Sequence, residues 1–307
     1  MTATFRSALR AAVMSALTLS LAACSIKMLA INSLGNALAS GSTSTFARDD
    51  DAELVRDAVP FALKTIESLI EQSPKHRGLL TAATSGFTQY GFAFIQQEAD
   101  YIEAQDLDRA TRMRARAKKL YLRAVEYGLR GLELDMPGFR GRLTTSPDAA
   151  LAKTTKKHIP LLYWTGAAWA AAFAVDVNDS ELSIRQTAIE KMMRRALALD
   201  ETWEKGSLHD FFISWEAGHA SAGGSMAKAR DHFAQAIRLS GGQRLSPYVS
   251  LAESVSVNEN NKKEFETILN QALAIDINKA PDMKLANVIS QRRARWLLGR
   301  IEDLFVE

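Results

Sequence analysis

Apolar residues recur at three- and four-residue spacing through almost every window after residue 48, and no stretch alternates convincingly between apolar and polar. The first such run, Leu54, Val55, Ala58, Phe61 and Ala62, follows Asp49-Asp50-Asp51. Carboxylates there suit a helix start, because the amino-terminal end of a helix carries partial positive charge. The spacing predicts helices over 50–72, 76–104, 108–134, 148–154, 158–176, 181–200, 206–221, 225–240, 247–257, 261–275 and 282–305. Punctuation agrees with these boundaries. Ser146-Pro147 and Ser246-Pro247 each set a capping residue before a proline at the first helical position. Ser225 follows Gly223-Gly224 as a cap, and Gly241 follows Ser240 where a left-handed turn would end a helix. The expected fold class is all-α.

Four helix endings look alike: Gly131-Leu132-Glu133-Leu134-Asp135, Ala196-Leu197-Ala198-Leu199-Asp200, Ala236-Ile237-Arg238-Leu239-Ser240 and Ala272-Leu273-Ala274-Ile275-Asp276. Their starts lie 65, 40 and 36 residues apart, near multiples of the ~34-residue tetratricopeptide period. Ala229, Phe233 and Ala236 have the small–aromatic–small spacing that lets paired helices approach, and Tyr121 and Ala124 repeat part of it. This predicts stacked antiparallel helix pairs in degenerate tetratricopeptide-like repeats. Ile159 to Val175, IPLLYWTGAAWAAAFAV, is charge-free and strongly apolar. As a helix it would reach roughly 25 Å, short of a ~30 Å hydrocarbon core, so it reads as a buried central helix.

The amino terminus is different. Arg6 and Arg10 precede an uncharged run from Ala11 to Ala23, and the run ends Leu21-Ala22-Ala23-Cys24. A basic start, a short apolar stretch and small residues before a cysteine resemble the lipobox of bacterial lipoproteins. Residues 1–23 are thus expected to be a signal peptide, with Cys24 carrying lipid after cleavage. Residues 24–47, rich in Gly, Ser, Asn and Ala, read as a flexible tether, and 48–307 as the helical domain. Cys24 is the chain's only cysteine, so an intramolecular disulfide, a multi-cysteine zinc cage and an iron–sulfur cluster are excluded. The formal charge is +3. Loss of residues 1–23 removes two arginines and no acids, leaving 36 basic against 35 acidic residues, or +1. That balance makes no case for nucleic acid.

Candidate chemistry is sparse. His76, His158, His209, His219 and His232 form no pair at zinc-binding helical spacing. Gly223-Gly224-Ser225-Met226-Ala227 superficially resembles a nucleophile elbow but lacks the preceding strand. No phosphate loop or dinucleotide fingerprint is present. The expectation is therefore no catalytic residues, no metal and no cofactor. The basic stretch Arg109 to Arg123 is a solvated helix face or a surface for an acidic partner or phospholipid head groups. Two aromatic groups remain, Tyr90 and Phe94 on one helix and Tyr163, Trp164 and Trp169 on another. Such rings are either core or the lining of an apolar cleft or pore between helix layers.

Longer strings narrow the reading. Asp49-Asp50-Asp51-x-Glu53-Leu54-Val55-Arg56-Asp57-Ala58-x-Pro60-Phe61-Ala62-Leu63-Lys64 and Leu120-Tyr121-Leu122-Arg123-Ala124-x-x-Tyr127-Gly128-Leu129-Arg130-Gly131-Leu132 resemble the T component (TatT) of tetratricopeptide-repeat-associated TRAP transporters. So do Leu162-Tyr163-Trp164, Ala229-Arg230-x-His232-Phe233, Ala252-Glu253 and Asn287-x-Ile289-x-Gln291-x-Arg293-Ala294. The resemblance implies a periplasmic, lipid-anchored, non-enzymatic helical protein that forms a homotrimer with a pore and apolar clefts. It further implies docking of the transporter's periplasmic solute-binding protein and handling of small hydrophobic or organic-acid ligands. Ser25 after the cysteine favours the outer over the inner membrane. A generic envelope lipoprotein that binds proteins or peptides for assembly is the alternative.

Overall fold

Asp51 opens the first long helix, α1 (Ala52–Gln72), by accepting hydrogen bonds from the amides of Glu53 and Leu54 at 3.1 and 2.9 Å. The same local device recurs along the chain in the computed structural model, which describes residues 45–305. Asp106 caps α4 (Leu107–Glu133), Ser225 caps α11 (Met226–Ser240) and Asn261 caps α13 (Lys262–Ala274), each through its side-chain oxygen. These caps satisfy amide donors that have no partner within their own helix.

Between these lie α2 (Arg77–Gly91), α3 (Gln97–Ile102), α5 (Phe139–Thr145), α6 (Pro147–Leu151), α7 (Ile159–Val175), α8 (Ser180–Ser183), α9 (Gln186–Leu199) and α10 (Ser207–Gly218). After α11 come α12 (Ser246–Leu251), α13, α14 (Lys284–Leu298) and α15 (Ile301–Leu304). No strand occurs among the described residues, so the fold is all-α. The long helices pack against their sequence neighbours, α1 on α2, α2 on α4, α4 on α7, α7 on α9, α10 on α11 and α13 on α14. That order is compatible with tetratricopeptide-like stacking.

Several boundaries differ from the spacing: Phe139–Thr145 forms a helix that it did not predict, and the expected helices 181–200 and 282–305 are each broken in two. The expected helix 76–104 is interrupted by a π-helical segment, Phe92–Gln96, and α12 runs into another, Ala252–Ser256. An inserted residue widens the turn there, and periodicity alone does not register it. Ser246 is the first residue of α12 rather than its cap, because its hydroxyl donates to Asp210 at 2.5 Å. Ser146 precedes Pro147 as expected, but its side chain makes no capping hydrogen bond. The expected signal peptide, Cys24 and most of the tether lie outside the described residues.

The main core runs through α1 to α10, with Tyr121, Leu132, Phe139, Leu161, Leu162 and Phe212 fully buried. A separate apolar cluster around Phe265, Leu269, Leu297 and Phe305 holds the carboxy-terminal helices together. Ile213, Ala217, Ala229, Leu251 and Val255 form a small third cluster. Arg293 on α14 then reaches Asp100, next to α2's π-helical segment, at 3.0 Å, and Arg292 reaches Glu98 at 2.6 Å. Lys284 pairs with Asp50, just before α1. The last long helix therefore returns to the first layer, and the helix stack bends round on itself.

Gly128 sets the contact between α4 and α7. A Cβ there would stand 2.0 Å from Thr165 Oγ1 and 3.1 Å from Thr84 Cγ2. Gly128→Ala gains about 1 kcal/mol of helix propensity but forces apart two buried side chains, an overpacking cost of roughly 1–3 kcal/mol. Gly141 has open space around its Cα, so Gly141→Ala carries only the gain. Urea denaturation should lower the midpoint for the first variant and hold or raise it for the second. Equal stability of Gly128→Ala and the parent would mean α4 and α7 do not meet at this position.

Candidate functional site

Helix α7 is apolar on every side, so two faces need cover. One face, with Ile159, Leu162, Thr165, Trp169 and Ala172, is buried where α7 packs on α2, α4 and α9. The other carries Tyr163, Trp164, Ala167, Ala170 and Ala171 and remains partly accessible. Tyr163 packs against Trp164 and Trp203 with ring centroids 4.9 and 4.7 Å apart.

The wall near Tyr163 is polar. Asp210 on α10 accepts hydrogen bonds from Ser246 at 2.5 Å and Ser250 at 3.0 Å, both on α12. Ser254 donates to Ser214 at 2.8 Å, and Arg293 grips Glu253 at 2.6 Å while also meeting Asp100. Tyr163, Asp210 and Glu253 keep partial solvent access yet sit deep within the fold. Desolvation is the largest influence on each, raising the Tyr163 phenol and both carboxyl groups above their ordinary ranges. Serine hydrogen bonds and the Arg244 charge partly offset this at Asp210, and Arg293 does so at Glu253. Tyr163 thus feels the Asp210 charge, and the partly accessible apolar face of α7 lies near the hydrogen-bonded polar groups of α10.

The five aromatic residues singled out from the sequence do not gather in one place. Tyr163 and Trp164 lie on the partly accessible face of α7. Trp169 is only 8% exposed and belongs to the core. Tyr90 and Phe94 pack against each other with tilted rings, centroids 5.8 Å apart, and line an outer recess of about 510 Å³ with Pro60, Met113 and Arg109. Trp203 and Asp210, which neighbour Tyr163, were not apparent from spacing. One signal was available at Asp210, a carboxylate set directly before Phe211-Phe212-Ile213 on α10.

The histidines are hydrogen-bonded rather than arranged as ligands. His76 accepts from the Leu79 amide at 3.1 Å, and His158 pairs with Asp135 at 2.9 Å. His219 stacks on Trp215 at 3.8 Å. Among the described residues no group of three or more His, Cys, Asp or Glu side chains is placed to hold a metal. Ser225 is a helix cap, as its spacing suggested.

His209 and His232 form the closest pair, with their Nδ1 atoms 2.8 Å apart, so one ring donates and the other accepts. Burial lowers the affinity of both rings for a proton, and the neighbouring His209 charge helps bring His232 down to about 4. Glu201 facing His209, and Glu216 and Asp231 facing His232, oppose the shift; Arg238 and Arg194 reinforce it. The folded state therefore holds fewer protons than the unfolded state, whose histidines titrate near 6.5. Stability is full above that pH and falls as pH drops from about 6.5 towards 4. His232→Phe, which retains the stack on Phe212, should flatten that slope in urea titrations at pH 7 and pH 4.5. A slope unchanged by the substitution would assign the pH dependence to other groups.

Comparison with known proteins places this architecture. An uncharacterized protein of Treponema pallidum (strain Nichols) is 32% identical over 304 residues, covering 93% of this chain and 94% of that protein. The family description of the TRAP transporter T-component matches residues 48–305, essentially the whole helical region. The chain belongs to the TRAP transporter T-component family, and its role lies in TRAP transport as an accessory component.

Proposed function

We propose that the protein is a non-enzymatic scaffold that passes a ligand to or from the periplasmic solute-binding protein of a TRAP transporter. In this reading Cys24 carries lipid, residues 24–47 span the gap to the membrane, and the helical part works in the periplasm as a homotrimer. The outer membrane is the preferred anchoring site, from Ser25 after the cysteine. No helix among the described residues is long and apolar enough to cross a membrane.

One observation carries the ligand part of this reading. A fully apolar helix at the centre of the fold leaves Tyr163, Trp164, Ala167 and Ala171 partly accessible towards a polar wall. Leaving apolar area uncovered costs roughly 25 cal/mol per Å², and a ligand with an apolar body would recover it. Small hydrophobic or organic-acid molecules fit that requirement.

The docking part is tested by gentle detergent extraction of envelopes, cross-linking and capture of the mature protein. Co-capture of the TRAP solute-binding protein with a trimeric cross-linked species is the expected outcome. Recovery of a monomer free of that protein would overturn the scaffold reading.

A further inference from the structure

The cations of α4 divide between two environments. Arg114 and Lys118 turn towards the fold, and each is held by two carboxylates, Asp100 with Glu103 and Asp176 with Asp179. Arg109, Arg112, Arg116, Lys119 and Arg123 are exposed instead. Their spacings of three, four, three and four residues keep them in one stripe along the helix. Among the described residues the first four enter no ion pair, and Arg123 lies 3.6 Å from Glu67. Like charges three and four residues apart repel one another, so this stripe is destabilising unless an anionic surface meets it.

The neighbouring helix adds apolar groups. Arg56, Asp57 and Pro60 of α1 face Arg109, Met113 and Arg116 of α4 across the outer recess, so the two helices run side by side there. Phe61, next to Pro60, is 79% exposed, and Leu54, two turns earlier on the same stripe, is 60% exposed. Carboxylates on this side are largely answered. Arg56 holds Asp57 at 2.9 Å and Arg140 holds Glu126 at 2.8 Å, while Asp108 sits in the first turn of α4 and meets that helix's own positive end. Two isolated apolar side chains among bare cations do not form the charge-depleted centre that a protein interface needs. They match a lipid interface, where scattered large apolar side chains enter the headgroup–acyl boundary and basic residues meet anionic headgroups.

We propose that the outer face of α1 and α4 is a membrane-docking surface, with Leu54 and Phe61 entering the bilayer and the α4 stripe binding anionic phospholipid headgroups. The inference rests on the lipid anchor proposed at Cys24 and adds the orientation of the helical part against the membrane. The described chain begins at residue 45, 21 positions after Cys24, and that connection spans at most roughly 70 Å. The anchor therefore keeps the face at high effective concentration near lipid, where attraction screened beyond about 8 Å at physiological salt is sufficient.

The test uses the mature lipidated protein with Ser68→Cys, which continues the exposed stripe of Leu54 and Phe61, labelled with bimane. The protein is reconstituted in phosphatidylcholine vesicles with or without phosphatidylglycerol, each containing a doxyl-lipid quencher. Quenching should be at least twofold stronger with phosphatidylglycerol and should fall to the phosphatidylcholine level in high salt. Replacing Arg112, Arg116 and Lys119 together by glutamine should have the same effect as salt. A label at Asn270→Cys, on exposed α13 surface, should be quenched equally in both vesicles. Equal quenching at position 68 in the two vesicle types would overturn the docking face while leaving the anchor intact. So would a blue-shifted label that lipid does not quench, the signature of a protein copy or partner covering this face. Failure to associate with either vesicle would overturn both. The lipid and salt comparisons require no charge variant to fold.

Discussion

Truncation of Trp169 to alanine is expected to destabilise the protein by roughly 3–5 kcal/mol, whereas the same change at Trp164 should cost far less. The two residues stand on one helix, five positions apart, in the same apolar string. Five residues turn a helix by about 140° beyond one full revolution, so one ring points into the α4–α9 core and the other lies on the partly accessible face. Trp169 is 8% exposed and packs within the main core, where its loss leaves a cavity that rigid neighbours cannot refill. Trp164 is partly accessible and contacts the Tyr163 ring at its edge. Trp164→Ala should therefore leave the urea midpoint near that of the parent and weaken binding of a small neutral apolar probe such as 4-phenylbutyramide, read by calorimetry. A large loss of stability at Trp164 with unchanged probe binding would reject its place on the accessible face.

The second large effect is expected at Cys24, which lies outside the described residues. The lipobox reading requires its sulfur to accept a diacylglyceryl group before cleavage. Cys24→Ala should abolish incorporation of labelled palmitate completely and block removal of residues 1–23, visible as a precursor of higher mass. Several acyl chains, at roughly 0.8 kcal/mol per buried methylene, hold a protein to a bilayer far more firmly than one. Mature parent protein should therefore partition into the detergent phase of a phase-separation assay. Label incorporated as before by Cys24→Ala would overturn the anchor and move the membrane attachment elsewhere.

Several features of the fold were legible in the chain itself because they are local. A carboxylate or hydroxyl before a periodic run announces a helix start, and Asp51 and Ser225 perform that role in the structure. Gly241, at φ 60°, ends α11 in the left-handed turn that its place after Ser240 suggested. The repeated small residues also have a packing basis. Ala196, Ala236 and Ala272 are fully buried, and a Cβ at Gly131 would stand 2.8 Å from Leu161. Each keeps the backbone of its helix close to the next. The π-helical segments were not legible, since one inserted residue shifts the helical phase without leaving a compositional mark.

The candidate site divides the same way. Tyr163 and Trp164 stood out as large rings in an apolar run, but so did Trp169, Tyr90 and Phe94, and composition does not distinguish a ring that is covered from one that is wetted. That distinction depends on which elements lie against each face of α7, and those elements come from distant parts of the chain. Asp210 meets Ser246 and Ser250 across 36 and 40 positions, and Arg293 meets Asp100 across 193. Arg244 gains its place opposite Glu204 in the same manner, 40 residues away.

By itself, then, the sequence determined the helical class, most helix boundaries, the family resemblance and the expectation of a lipid anchor at Cys24. Periodicity, capping and cleavage chemistry act over a few neighbouring residues and are written in order along the chain. The tertiary structure alone decided that α7 leaves one apolar stripe partly accessible, that Trp169 is core, and that Arg244 meets the Glu204 carbonyl. Those outcomes depend on contacts between elements far apart in the chain, which no local pattern encodes.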